Sequence, residues 1–307
     1  MAMNPQSPSA VIMVRPHKFS PNPQTAADNK FQKVHADIPQ VQVNQHAFEQ
    51  VTQVAEQLKK HGIRVHLFED EGIETPDSVF PNNWFSTHAG GHIAIYPMFA
   101  PNRRKERRQD IIEMLKSEYR VQDVVDYSGL EYDNIFLEGT GAMVLDHLER
   151  VAYAAKSNRT DSIALERFCS HFNFEPMVFA ASDSTGSAIY HTNVLMCIGT
   201  DFVMAGFDMM TDEARRQEII ARFEDSGRQV ISLSETQVNQ FCGNALELQG
   251  NQGRLLAISQ TAFDALSKNQ IQQLEQSVSL LPLDVSILEL AGGSVRCMLA
   301  GVHLSRR

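Results

Sequence analysis

Cysteine is scarce in this chain. Four stand among 307 residues, at 169, 197, 242 and 297, with no Cys-X-X-Cys or Cys-X-His pair. That spacing argues against a zinc framework or a disulfide scaffold and fits a reducing, cytoplasmic setting. Long apolar runs are missing: none reaches the roughly 18 residues of a membrane span. The N-terminal MAMNPQSPSA is polar and lacks the apolar core of a signal peptide. Residues 1–10 therefore read as a flexible lead to a single domain over 1–307. Positive charge is short as well. Lys and Arg number 27 against 37 Asp and Glu, a formal net charge of -10, so no nucleic-acid footprint is expected. The one dense basic run, Arg103 to Arg108 broken by Glu106, reads alone as a solvated helix start. The remainder, 43% hydrophobic and 21% charged, is an ordinary globular composition.

What the chain does have is a repeat. Strand-like runs HIAIY, RVAYAA, DFVMAG and RLLAIS begin at His92, Arg150, Asp201 and Arg254, at spacings of 58, 51 and 53 residues. After each come a polar loop, a helical segment and a second strand. Thr160, Thr211 and Thr261 stand where helix N-caps belong. An earlier copy, from VIMVRP through IRVHLFED, carries an extra polar stretch from about Pro16 to Asn44. Each copy ends on one more segment: PDSVFPNNWFSTH, YDNIFLEGTGAMVLDH, YHTNVLMCIG, FCGNALELQG and GGSVRCML. Units that cannot bury their faces alone must stack on their neighbours. Five of them predict a closed ring with pseudo-fivefold symmetry, an α/β propeller whose terminal segments converge near the axis. Asp77, Asn83, Glu138, His191, Cys242 and Cys297 then take related positions.

A lone buried cysteine packs as a small hydrophobe. A cysteine sharing an axis with a histidine and a carboxylate is a candidate nucleophile. Its thiolate needs a positive or hydrogen-bonding neighbour, His191 could orient or protonate it, and Glu138 could accept from substrate N–H groups. Read singly, His191 is as well a satisfied strand histidine, Glu138 a turn acid beside Gly139, and Cys242 a strand filler.

These segments resemble the guanidine-modifying, or pentein, superfamily, which includes arginine deiminase, dimethylarginine dimethylaminohydrolase and amidinotransferases. The resemblance covers nearly the whole chain. LEGTG is similar to the motif whose first acid, here Glu138, holds the substrate nitrogens. YHTN resembles the catalytic-histidine motif, giving His191. GGSVRCM resembles the C-terminal nucleophile motif, giving Cys297. APNRRKE and SNRTD resemble stretches whose arginines, here Arg103 and Arg159, bind the substrate carboxylate. DSVFPNNW resembles a substrate-binding segment containing Asp77 and Asn83. The resemblance implies the pentein fold of five ββαβ units in a closed ring, an amino-acid substrate, and neither cofactor nor metal. It leaves homo-oligomerisation open.

The departures point to the substrate. Arginine deiminases carry acids where this chain has Asn83 and Asn193. Carboxylates suit a guanidinium through charged, bidentate hydrogen bonds, whereas an amide can donate as well as accept. Two Asp-to-Asn changes suit a neutral ureido group, and the chain resembles the citrulline ureidase branch in FPNNW, EGTGAMVLD and HTNV. The expected reaction is citrulline plus water giving ornithine, carbon dioxide and ammonia. The rivals are an arginine or methylarginine hydrolase, an amidinotransferase, and a non-catalytic binding protein on the same fold.

Overall fold

The computed structural model describes residues 5–33 and 38–307. In chain order it begins with β1 (Ala10–Pro16), α1 (Gln40–Lys60), β2 (Arg64–Asp70), β3 (Phe85–His88), β4 (His92–Ile95), α2 (Gln109–Glu118) and β5 (Asp123–Asp126). Next come α3 (Gly139–Ala142), β6 (Val144–Asp146), β7 (Val151–Ala155), α4 (Ser162–Phe172) and β8 (Glu175–Phe179). They are followed by α5 (Thr192–Leu195), β9 (Met196–Ile198), β10 (Phe202–Ala205), α6 (Glu213–Asp225), β11 (Gln229–Ser232) and α7 (Glu235–Asn239). The last unit holds β12 (Leu246–Gly250), β13 (Gly253–Ser259), α8 (Gln260–Ala265), α9 (Lys268–Leu274) and β14 (Ser279–Leu283), and the chain closes with α10 (Val295–Met298) and β15 (Ala300–Gly301).

The strands form five three-stranded sheets, β15-β1-β2, β3-β4-β5, β6-β7-β8, β9-β10-β11 and β12-β13-β14. In each, the middle strand pairs antiparallel on one side and parallel on the other. A parallel pair needs a crossover, which the intervening helix supplies, and an antiparallel pair needs only a hairpin. The β3–β4 hairpin turns on Gly90 and Gly91 at φ 92° and 96°, which only glycine adopts cheaply. Each terminal segment of the repeat thus supplies the first strand of the next sheet. The exception is the last: β15 pairs with β1, so one sheet holds both ends of the chain. β15 lies beside β3, β6 beside β9, and β9 beside β12.

The middle strands VAYAA and FVMA are buried throughout, as expected where both faces of a sheet are covered. α1 buries Val43, Ala47, Val51, Val54 and Leu58, a helical stripe. It packs into the same core as Leu248, Leu255 and Cys297.

Three expectations change. Asp161, Asp212 and Ser259 cap the helices in place of Thr160, Thr211 and Thr261. In each case this residue has the extended backbone that brings a side-chain oxygen onto an orphan N–H. Thr261 instead bonds Glu289. The terminal segments are not simple strands, because most make one helical turn first. And residues 5–10 are not a loose lead: Gln6 and Ser7 are buried, and the Gln6 amide donates to Leu145 O (3.2 Å) and Ile198 O (3.0 Å). Residues 1–4 of that lead, and 34–37 of the extra polar stretch, lie outside the described residues.

Candidate active site

The helical turns bring the chemistry together. The turn Pro81–Asn83 and α3, α5 and α10 each precede the first strand of a sheet, and α3 touches both Pro81–Asn83 and α5 while α10 touches Pro81–Asn83. A cavity opens against them, lined by Asp77, Asn83, Arg103, Arg159, His191 and Cys297 among others. Six of the eight residues expected at the site therefore face one space. The other two stand just behind it: Glu138 holds His191, and Asn193 holds Cys297.

Cys297 sits on α10, a one-turn helix, and is buried. Its sulfur receives two amide hydrogen bonds, from Asn193 Nδ2 at 3.2 Å and Asn244 Nδ2 at 3.3 Å. The Asn244 Nδ2 also donates to Asn193 O (2.9 Å), and its Oδ1 accepts from the Arg296 backbone N–H (3.0 Å). One side chain thereby ties α5 to α10.

His191 Nε2 lies 2.8 Å from Glu138 Oε2. Burial pushes the imidazole down to about 4, against the pull of Glu138, so it is neutral at neutral pH. Burial would raise Glu138, but the Arg159 guanidinium, the His191 hydrogen bond and Arg103 hold its carboxyl far below the usual carboxylate range. With Glu138 ionised, His191 carries its proton on Nε2 and offers Nδ1 as an acceptor. Gly141 makes this approach possible. A Cβ there would lie 2.1 Å from the outer end of the Asn83 amide and 2.9 Å from His191 Nδ1.

The two arginines are already matched by acids. Arg103, far from being solvated, is 2% exposed. Its Nε and Nη2 hold Glu106 (3.0 and 2.9 Å), Asp77 Oδ2 lies 3.6 Å away, and Asn83, with its amide oxygen turned inward, accepts from both Nη atoms at 3.1 and 3.0 Å. Arg159 donates from Nε and Nη2 to the two oxygens of Asp28 (3.0 and 2.6 Å) and stacks over Tyr190 at 4.8 Å. Asp77 Oδ2 accepts from Asn22 (2.8 Å), while its buried Oδ1 has no partner among the described residues. Burial raises the Asp77 pKa against the Arg103 charge.

Cys242 does not reach this cavity. Its thiol donates to Ala262 O (3.3 Å) within an apolar core. Burial pushes Cys169, Cys197 and Cys242 up to about 12, which makes them poor nucleophiles. Asn244, Glu106, Asp28 and Asn22 were not expected. Asn244 follows Asn193 by 51 residues, the same interval that separates Cys242 from His191 and one of the repeat spacings, so the repeat could have revealed it.

A family model described as N,N dimethylarginine dimethylhydrolase, eukaryotic, matches residues 15–304. No curated protein matches the chain by sequence. Among solved structures, the N-terminal domain of ArgZ, an arginine dihydrolase of cyanobacteria bound to substrate, aligns with a TM-score of 0.75 at 15% identity, covering 96% of this chain and 98% of that one. AgrE in complex with L-arginine gives 0.75 at 16% identity, over 97% of this chain and 40% of AgrE. DDAH from Pseudomonas aeruginosa in complex with citrulline gives 0.63 at 15% identity, over 98% and 100%. At these identities the likeness to the solved structures is one of fold.

Proposed function

Since the chain belongs to the family described as N,N dimethylarginine dimethylhydrolase, within the pentein, guanidine-modifying superfamily, we propose that it is a cysteine-dependent hydrolase of the ureido group of citrulline. The observation that carries the substrate choice is the sulfur's surroundings. Both side chains bonded to Cys297 Sγ are neutral amides, Asn193 and Asn244. The nearby acids are spoken for: Glu138 by His191, Arg159 and Arg103, and Glu106 by Arg103. A guanidinium would add a buried cation to this balanced set, which is costly. A ureido group adds none, and its carbonyl oxygen can take an asparagine N–H.

In this reading Cys297 attacks the ureido carbon as a thiolate, and its proton passes to neutral His191. Amide donors stabilise the tetrahedral oxyanion. One C–N bond then breaks, His191 returns the proton to the departing nitrogen, and a cysteine-bound thiocarbamate remains. His191 next takes a proton from water, which adds to that carbon and frees the thiolate. The resulting carbamate decomposes, so that citrulline and water yield ornithine, carbon dioxide and ammonia. Arg159 takes the substrate α-carboxylate in exchange for Asp28, whose side chain is 23% exposed and the more easily displaced. Arg103 and Asp77 complete the amino-acid end of the pocket. No metal or cofactor is required. We further read residues 1–307 as one catalytic unit with its five sheets in a closed ring. In support of this, β3, β6, β9, β12 and β15 all contribute residues to one inner cavity.

An arginine or methylarginine hydrolase is the second reading, favoured by the free Oδ1 of buried Asp77, which could pair a guanidinium. The deciding experiment compares kcat/KM for citrulline and arginine on the parent and on Asn83→Asp/Asn193→Asp. The ureidase reading expects citrulline to be preferred, and its turnover to fall by orders of magnitude in the double variant. A parent that prefers arginine installs the second reading. Transfer of the cysteine-bound group to an added amine would mark an amidinotransferase, and no turnover of either substrate a binding protein.

A further inference from the structure

A second cavity lies on the other side of α10. Cys297 lines the catalytic cavity, whereas its neighbour Arg296 lines this inner one, together with His88, His147 and His303. None of the inner cavity's lining residues is acidic. Among the described residues Arg296 makes a single side-chain hydrogen bond, from Nη1 to Leu299 O (3.1 Å), and no carboxylate lies within ion-pairing distance of it. Its remaining N–H donors have no protein acceptor there. An unmatched guanidinium inside a protein is expensive.

The histidines add donors. His88 is 2% exposed, and its Nε2 lies 2.7 Å from Ser86 Oγ, which in turn bonds the phenol of Tyr96 at 2.5 Å. A phenol is the better donor of that pair, so the chain runs from Tyr96 to Ser86 to His88 Nε2. The His88 proton then sits on Nδ1, which is buried and has no partner among the described residues. His147 and His303 stack with ring centroids 4.2 Å apart, and the His303 ring also bonds the Pro5 backbone carbonyl, which leaves His147 as the donor of the pair. Burial holds both imidazoles low, with the Arg296 charge acting in the same direction.

We propose that the inner cavity binds a small planar oxyanion of the carboxylate or bicarbonate type, held by Arg296, His88 and His147. The forked guanidinium matches two oxygens of such an anion. The room available to water-sized atoms, about 50 Å3 against about 10 Å3 in the catalytic cavity, exceeds the ~15 Å3 of a single water. The site is distinct from the α-carboxylate position at Arg159 and does not rest on the ureidase reading.

The test is a titration of the full chain with sodium bicarbonate and with sodium formate, read by NMR at the imidazoles of His147 and His303, with sodium chloride as control. Saturable shifts are expected with the oxyanions, weakened roughly tenfold or more in Arg296→Met and in His147→Asn, the latter read at His303, and retained in Arg159→Met. Tighter binding of bicarbonate than of formate assigns the site to bicarbonate, and the reverse order to carboxylates. If Arg296→Met does not fold, His147→Asn decides. The proposal is overturned by an absence of saturable shifts, by an equal response to chloride, or by a response that disappears in Arg159→Met.

Discussion

Cys297 differs from the other three cysteines in what surrounds its sulfur. Cys242 meets one backbone carbonyl in an apolar core, and Cys297 meets two amide N–H donors beside a polar cavity. Cys297→Ser is therefore expected to lower kcat by at least about 10³-fold, and Cys242→Ser to leave it within a few-fold. Steady-state rates and peptide mapping after iodoacetamide treatment distinguish the two; modification at Cys242 in place of Cys297 would refute the assignment. His191 sets the acid side of the pH profile. It must be neutral to accept a proton, and burial has pushed it down to about 4. The fraction of neutral His191 falls only as the pH drops toward that value. The acid limb of kcat/KM, which reports the free enzyme, should accordingly lie nearer pH 4 than the ordinary histidine value of about 6.5. An acid limb centred near 6.5 would contradict this. Gly141 is the third sensitive position. Because a Cβ would press on Asn83 and His191, Gly141→Ala should cost roughly 1–3 kcal/mol of stability and most of the activity, measured by urea unfolding and by initial rates.

At the scale of elements, the repeat was legible because strands and helices leave different periods in the sequence. The runs at His92, Arg150, Asp201 and Arg254 coincide with or begin next to β4, β7, β10 and β13. Partner choice was less legible, since the period of a strand does not say whether it pairs forward or back. The helical turns were hidden for another reason: α3, α5 and α10 have four residues each, too few for a 3.6-residue period to repeat. Side chains that act across the fold left no local mark. Asp28 reaches Arg159 over 131 positions, and nothing around Asp28 in the sequence announces that pairing. Asn244 belongs to the same class, and its role is testable. Asn244→Asp keeps an acceptor for the Arg296 N–H but removes one of the two donors to Cys297 Sγ and places a negative charge beside it. Alkylation of Cys297 at neutral pH should slow about tenfold with the far-UV circular dichroism unchanged. An unaltered alkylation rate would leave Asn193 as the sole support of the sulfur.

At the scale of the molecule, both ends of the chain meet in one sheet, because β15 pairs antiparallel with β1. The nucleophile sits three residues before β15, so the strand that joins the ends also anchors the site. The segment beyond Leu299 carries more than two ladder positions. Val302 and Leu304 are buried, in one core with Ile12, Trp84 and Leu115. Val302 N–H bonds Ala10 O (2.8 Å), and Thr87 bonds both Gly301 O and His303 N–H. Burying a valine or leucine side chain contributes about 1.5–3 kcal/mol, so losing these two alone removes several kcal/mol from a total that is typically about 5–15. Deletion also frees an edge of β1, whose residues are almost wholly buried, and an exposed apolar edge invites intermolecular pairing. Removing residues 300–307 is therefore expected to lower Tm by at least about 10 °C, to produce aggregates on size exclusion, and to abolish turnover although Cys297 remains in the chain. A truncated protein with parental Tm and a monodisperse profile would show that the first sheet stands on β1 and β2 alone.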